Sequence, residues 1–108
     1  MRDEEILIAT LLEDACLTLQ QLAAACAVEQ EWITEHIAEG LLPRPPGQTT
    51  EWRFSSRSLQ RVQRIRSFER DFDAAPELAA LVADLLEEVD VLRGQLLRAG
   101  LSGRGDEE

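Results

Sequence analysis

The sequence predicts a mainly α-helical protein in which a helix-turn-helix domain with a small two-stranded wing precedes a long C-terminal helix. Three features indicate this fold: two short helical patterns in residues 18–39, a proline-rich segment after them, and a heptad of apolar residues in residues 78–96. The chain has 108 residues, enough for one small core but not for two. We expect a winged helix-turn-helix domain at residues 1–73, a dimerisation helix at residues 74–101 and a disordered tail at residues 102–108.

The helix-turn-helix prediction begins at Thr18, which can cap a first helix, with Gln21 three residues later as the capping-box partner. A second helix is predicted at residues 29–39, because Gly40 is a natural helix stop. Apolar residues at helical spacing define the inward faces of the two helices. These residues are Leu19, Leu22, Ala23, Cys26, Trp32, Ile33, Ile37 and Leu41.

The proline-rich segment predicts the wing. Three prolines and a glycine are followed by the alternating pair Trp52 and Phe54, which favours a loop and then a strand that could pair with residues 6–10, part of a β-branched run at residues 5–10. Two interpretations of Trp52 are open. It can pack in the core, or it can lie exposed at the end of the wing and serve as a partner-binding anchor.

A third helix is predicted at residues 56–72, capped by Ser55 or Ser56. Its outer face carries a row of arginines, and two interpretations of that row are open. The arginines can contact nucleic-acid phosphates, or they can pair with acidic residues of the last helix. We favour the pairing. The arginines are Arg57, Arg61 and Arg64, and the candidate acids are Asp84, Glu87, Glu88 and Asp90.

The last helix is predicted to begin near Pro76, and its apolar residues recur in steps of 4, 3, 4, 3 and 4. Such a heptad pattern is typical of a helix that pairs with a copy of itself, so we expect a homodimer, either parallel or antiparallel. The alternative is a helix folded back on its own domain. The apolar seam consists of Leu78, Val82, Leu85, Val89, Leu92 and Leu96.

Charge is distributed in stripes. The net charge is −10, and residues 1–51 hold ten acidic and two basic residues. Residues 52–70 hold six arginines and one glutamate, whereas residues 71–92 hold seven acids and no base. The second helix presents Glu31, Glu35 and Glu39 at i, i+4 and i+8, so the three form one acidic row.

An acidic row on the second helix is unfavourable for DNA, because phosphates repel carboxylates and DNA readers place Arg, Asn or Gln there. The row therefore predicts a contact with a basic protein surface, and we expect no specific nucleic acid as partner. The alternative is that the row is only a solvated face.

The sequence contains no pattern that predicts catalysis, a metal site or a cofactor. Cys16 and Cys26 lack metal-ligand spacing and are expected to be reduced core thiols. His36, the only histidine, is expected to be a surface or half-buried residue. The acid-flanked N-terminus is not typical of a secretory signal, and no apolar run is long enough for a membrane span. We expect a cytoplasmic, non-enzymatic protein without a membrane partner.

The order of helix, turn, helix, wing, Arg-rich helix and final helix resembles that of MerR-type regulators, with "LTLQQLAAACAV", "GLLP" and "WRFSSRSLQRVQRIRSF" as the matching pieces. The acidic second helix, "EGLLP", "TEWRFSSRSLQRVQRI" and "LAALVADLLEEVDVLRGQL" more narrowly resemble the chaperone modulator protein CbpM family. This likeness spans about residues 17–98. The chain departs from the family at Ala27, Val28 and Glu29, where Gly-Val-Ser is usual.

The resemblance implies a function. Members of that family bind the J-domain of the co-chaperone CbpA and inhibit both its stimulation of DnaK and its binding to DNA. J-domains typically present a Lys/Arg-rich helix beside a His-Pro-Asp loop, and the acidic row could cover such a helix. The resemblance therefore implies a chaperone modulator with a CbpA-like J-domain as partner. The alternative is a MerR-type transcriptional regulator that binds DNA.

Overall fold

The computed structural model describes residues 17–100, which contain four α-helices and one short 3₁₀ turn. The helices are α1 Leu19–Cys26, α2 Gln30–Ala38, α3 Ser56–Phe72 and α4 Pro76–Arg98, and the 3₁₀ turn is Thr49–Glu51. These bounds agree with the predicted helices to within the precision of helix ends. The prediction of a mainly α-helical protein is therefore confirmed.

The start of α1 is fixed by the predicted capping box. The hydroxyl of Thr18 accepts a hydrogen bond from the backbone N–H of Gln21 at 3.1 Å, and the side-chain oxygen of Gln21 accepts one from the backbone N–H of Thr18 at 2.9 Å. At its other end α1 stops at Ala27, which has left-handed backbone angles of φ 57° and ψ 44°. Glu29 precedes α2 without a side-chain cap. The short turn leaves α2 packed against α1, and α1 in turn packs against α3.

The core lies where α1, α2 and α3 meet, and its most enclosed side chains are Leu22, Ile33, Val62 and Ile65. The helix α4 joins this core through a different kind of residue. Its buried residues are all alanines, Ala79, Ala80 and Ala83, and such small side chains let α4 lie close against α3. Most of the large apolar side chains of α4 therefore lie outside this core and are exposed.

The segment between α2 and α3 is a compact loop, and the described residues contain no two-stranded wing. Its β-type pairing is a single antiparallel bridge between Leu17 and Phe54. The backbone N–H of Leu17 donates to the carbonyl of Phe54 at 3.0 Å, and the N–H of Phe54 donates to the carbonyl of Leu17 at 2.7 Å. Within residues 17–100 the predicted two-stranded wing is therefore not supported, and the segment is a loop bridged to Leu17 at one point.

Proline and glycine explain why this loop does not extend into a strand. Pro43, Pro45 and Pro46 have no N–H to donate to a neighbouring strand, and their rings fix φ near −65°. Gly47 then adopts φ 87°, which reverses the chain before the 3₁₀ turn. The predicted pairing with residues 6–10, the strand at residues 5–10 and the tail at residues 102–108 lie outside the described residues.

Candidate protein-binding surface

The acidic row of Glu31, Glu35 and Glu39 lies on the outer face of α2, and all three residues are exposed. None of them forms an ion pair with a basic side chain of residues 17–100. The hydroxyl of Thr34 donates to the carbonyl of Glu31 at 3.0 Å, so it leaves the carboxylates unoccupied. The predicted row therefore exists as a continuous acidic surface.

A second row runs beside the acidic one on α2 and its leading turn. Val28, Trp32 and His36 are spaced four residues apart. Val28 precedes Glu31 by three residues, and Trp32 and His36 directly follow Glu31 and Glu35. Val28 and Trp32 are half-buried and pack against the core. The carboxylates are thus bordered by partly exposed apolar surface and not by other charges.

His36 links α2 to α3, and it is buried, which corrects the expectation of a surface or half-buried residue. The residue is only 6% exposed, and its imidazole stacks on Trp32 at a ring distance of 3.7 Å. Nδ1 lies 2.7 Å from the carbonyl oxygen of Trp32, and Nε2 lies 2.8 Å from Oε2 of Glu69. Since a carbonyl oxygen only accepts, Nδ1 carries a hydrogen, and Trp32 is held in place from one side.

Trp52 is a core residue and not an exposed anchor. It is 5% exposed, its Nε1–H donates to the carbonyl of Gly47 at 3.2 Å, and its ring packs edge-on against Phe54 at 6.1 Å. The guanidinium of Arg44 lies 5.9 Å from the ring centre and screens it from the outside. The interpretation of Trp52 as a partner-binding residue is therefore corrected, because the compact loop folds the ring inward.

Two members of the arginine row of α3, Arg61 and Arg64, pair with acidic residues of α4, as the favoured interpretation predicted for the row. One amino group of Arg61 donates to Asp84 at 2.7 Å and to Glu87 at 3.0 Å, and Arg64 contacts Asp90 at 3.0 Å. Arg61 also reaches back with Nε–H to the carbonyl of Leu41 at 3.0 Å. This side chain therefore ties the segment after α2 to both long helices.

The charge state of Arg61 is secured by its partners. Burial by itself lowers the pKa of a guanidinium, but the hydrogen bonds and negative charges of Glu87 and Asp84 outweigh this effect and raise the pKa of Arg61 above its usual range. The side chain is 13% exposed, so it is a structural cation and not one offered to phosphates. Arg57, one turn earlier, is exposed and makes no ion pair with the described residues.

The apolar seam of α4 faces away from the rest of the described domain. Five of its six residues are exposed, and Leu85 is 59% exposed. They lie on the side of the helix opposite to Ala79, Ala80 and Ala83. The exposed members are Leu78, Leu85, Val89, Leu92 and Leu96, and Val82 is half-buried. Within residues 17–100, therefore, most of the seam does not pack against the rest of the domain.

Reactive chemistry is not apparent in the described part of the chain. Cys26 is buried, and burial raises the pKa of its thiol to about 11, an effect that the positive charge of Arg66 reduces in part. Cys16 lies outside the described residues. No three His, Cys, Asp or Glu side chains among residues 17–100 are grouped closely enough to hold a metal ion. None of the four helices has the length and apolar character needed to cross a membrane.

Sequence reasoning missed two contacts, one between His36 and Glu69 and one between Arg61 and Leu41. Each joins residues 20 or more positions apart, so no local pattern reveals it. A weak signal was available for Glu69, because it is the one acidic residue among the six arginines of residues 52–70.

Comparison with known proteins agrees with this architecture. The family described as "MerR HTH family regulatory protein" matches residues 17–98, and the chain belongs to that family of helix-turn-helix regulators. Within it, the chain is 30% identical over 80 residues to the chaperone modulatory protein CbpM of Pseudomonas entomophila (strain L48), which covers 73% of this chain and 78% of that protein. The suspected membership of the CbpM family is thereby confirmed. No solved structure matches the chain significantly.

Proposed function

We propose that the chain is a chaperone modulator whose α2 surface binds the J-domain of a CbpA-type co-chaperone and inhibits its stimulation of DnaK and its DNA binding. The observation that carries this proposal is the exposed acidic row of Glu31, Glu35 and Glu39, which forms no ion pair with a basic side chain of residues 17–100. The name of the P. entomophila relative supports the same class of function.

Electrostatics supports a basic protein partner over DNA. In a helix-turn-helix that reads DNA, α2 would enter the groove, where three carboxylates would face phosphates and be repelled. Two of the three arginines that could offset this repulsion, Arg61 and Arg64, already pair with carboxylates of α4, which leaves Arg57 as the exposed member of the row. A Lys/Arg-rich helix of the partner gains from the same acidic row, and binding there would exclude other proteins from that helix.

Calorimetric titration with an isolated CbpA-type J-domain tests the proposal. The wild-type chain is expected to bind at low salt and to bind less tightly as salt screens the charges. The double variant Glu31→Arg with Glu35→Arg is expected to lose most of the affinity. A matched control, Glu77→Arg with Glu88→Arg, changes the net charge equally but alters α4. Absence of wild-type binding, or equal binding by both double variants, would contradict the proposal.

DNA binding by a MerR-type regulator is the competing function, and it predicts a different result. In an electrophoretic mobility-shift experiment at physiological salt, a regulator would retard a DNA duplex taken from the upstream region of its own gene. We expect no such shift. A retained shift with sequence preference would favour the transcriptional regulator instead.

The apolar seam supports a second part of the proposal, namely that the modulator is a homodimer. Exposed Leu and Val side chains along one face of a 23-residue helix leave apolar area in water, and pairing with the same face of a second copy removes it. The seam of a dimer would keep both acidic rows free for partners.

Light scattering tests the dimer. The chain has a mass of 12.1 kDa, so a dimer is expected at twice that value. Leu85→Lys places a charge in the middle of the seam and is expected to give the monomer mass. Leu97→Lys is the control, because Leu97 is also exposed but lies off the seam. A monomer mass for the wild type, or an unchanged mass for Leu85→Lys, would contradict the dimer.

A further inference from the structure

We infer that Trp32 is the anchor of the partner-binding surface, and that the residue it receives is a Lys or Arg whose aliphatic stem lies on the indole while its charged end meets Glu35. The inference rests on the proposed function and deepens it, since it names the side chain that decides affinity. Trp32 on α2, and not the buried Trp52, is then the aromatic residue that contacts the partner.

The position of Trp32 carries the inference. Trp32 precedes Glu35 by three residues on α2, so the indole lies beside that carboxylate on the helix surface, and Val28 of the preceding turn packs against the same core. Trp32 is half-buried, so part of it remains accessible to solvent beside the acidic row. Trp is among the residue types most enriched at the energetic centres of interfaces.

The indole is also held rigidly before any partner arrives. His36 stacks on it at 3.7 Å with an interplanar angle of 21°, and His36 is itself fixed by contacts to the carbonyl of Trp32 and to Glu69. A side chain that is already ordered loses little conformational entropy on binding. His36 and Glu69 therefore act as positioning residues for Trp32.

The chemistry of the two rows selects the occupant. Lys and Arg each combine an aliphatic stem with a cationic end, and they bury the stem on apolar surface while the end stays at polar groups. A row of partly exposed Val28 and Trp32 next to Glu31 and Glu35 matches both halves of such a side chain. The face therefore fits a Lys/Arg-rich helix. A purely apolar surface would match only Val28 and Trp32, and an acidic surface would be repelled by the glutamates.

Calorimetric titration with the same isolated J-domain, at low salt and at near-physiological salt, tests the anchor. Trp32→Ala is expected to weaken binding by about 30-fold at both salt concentrations, since its contact is mainly apolar. Glu35→Gln is expected to weaken binding mostly at low salt, since its contact is charged. Phe68→Ala is the matched control, because Phe68 is also a half-buried aromatic on the core but lies on α3. Its affinity should stay within about twofold of wild type.

Fluorescence quenching of the wild-type chain gives a second measurement, which does not depend on how well a variant folds. Trp52 is already shielded, so a soluble quencher such as acrylamide should act mainly on Trp32 in the free chain. Binding of the J-domain should remove most of that quenching, and the Trp32→Phe variant identifies the signal as that of Trp32.

The outcomes separate the two proposals. Wild-type binding with an unchanged affinity for folded Trp32→Ala, or with undiminished quenching in the complex, overturns the anchor and leaves the proposed function standing. Absence of wild-type binding overturns both. A loss of affinity in Trp32→Ala that Phe68→Ala reproduces also overturns the anchor, because it shows a general effect of a weakened core.

Discussion

Nε2 of His36 on α2 lies 2.8 Å from Oε2 of Glu69 on α3, and this contact joins the helix that carries the acidic row to the long helix behind it. The two side chains are 8% and 19% exposed, so the contact is made largely away from water. An ion pair or strong hydrogen bond in such a place matters most when one partner is removed, because the other is left buried and unpaired.

A double-mutant cycle measures this link. His36→Ala is expected to reduce the free energy of unfolding by about 2–3 kcal/mol, and Glu69→Ala by somewhat less because Glu69 is more exposed. The double variant should cost at least about 1 kcal/mol less than the sum of the single variants. Denaturant unfolding provides the values. Strict additivity would show that the two residues do not interact in solution.

Removal of the exposed pair Arg70 and Asp71 is the control for that cycle. Nε of Arg70 lies 2.9 Å from Asp71, close to the same separation, but both side chains are open to solvent. We expect no measurable coupling between them, since exposed ion pairs contribute little. The comparison separates the effect of burial from the effect of distance.

Arg61 should be the most important cation for stability, since it contacts Leu41, Asp84 and Glu87 at once. Arg61→Leu is expected to destabilise the fold by about 2 kcal/mol, because a carbonyl loses its donor and two carboxylates lose their counter-charge. Arg57→Leu, one turn earlier on the exposed face of α3, should change stability by less than about 0.5 kcal/mol. Thermal unfolding of the two variants checks this, and equal effects would contradict the role assigned to Arg61.

The helices were predictable because their signals are local. Thr18 and Gln21 stand three residues apart, Pro76 occupies the first turn of α4, and the inward apolar residues repeat at helical spacing. The loop was not predictable to the same degree. Whether Trp52 faces the core depends on how three prolines and Gly47 turn the chain, and that outcome is decided by packing against Phe54 and not by alternation of residue types.

The candidate binding surface also has one part that local sequence predicts and one part that packing decides. The spacing of Glu31, Glu35 and Glu39 is a property of one helix, so sequence was enough to predict a row. The part played by Trp32 and His36 depends on Glu69, which is 33 residues away from His36. A contact of this kind arises only when α2 and α3 are packed together, which sequence periodicity alone does not fix.

The thiol of Cys26 is expected to be unreactive in the folded chain. Burial raises its pKa from 9.0 to about 11, so the folded form holds its proton where an unfolded chain begins to lose it. The stabilisation that comes from this difference is present below pH 9 and is lost as pH rises from 9 towards 11. In a Cys16→Ser background, alkylation by iodoacetamide at about pH 8.5 should be much slower in native buffer than in denaturant. Equal rates would contradict burial of the thiol.

The turn between α1 and α2 contains strain that one substitution should relieve. Ala27 has φ 57°, a left-handed conformation that costs an L-residue about 1 kcal/mol and that glycine adopts freely. Ala27→Gly is therefore expected to raise the free energy of unfolding by about 0.5–1 kcal/mol, the gain being limited by the greater entropy of glycine in the unfolded chain. The midpoint of urea unfolding should move upward in proportion.

Ala24→Gly is the matched control for this prediction, because Ala24 is exposed in the interior of α1, three residues earlier. There the same substitution weakens a helix and should lower stability by about 1 kcal/mol. Opposite signs at two alanines one helical turn apart would show that backbone conformation, and not the loss of a methyl group, decides the effect. If both variants shift the midpoint in the same direction, Ala27 does not hold the left-handed conformation in solution, and the geometry that sets α2 against α1 must differ from the one described.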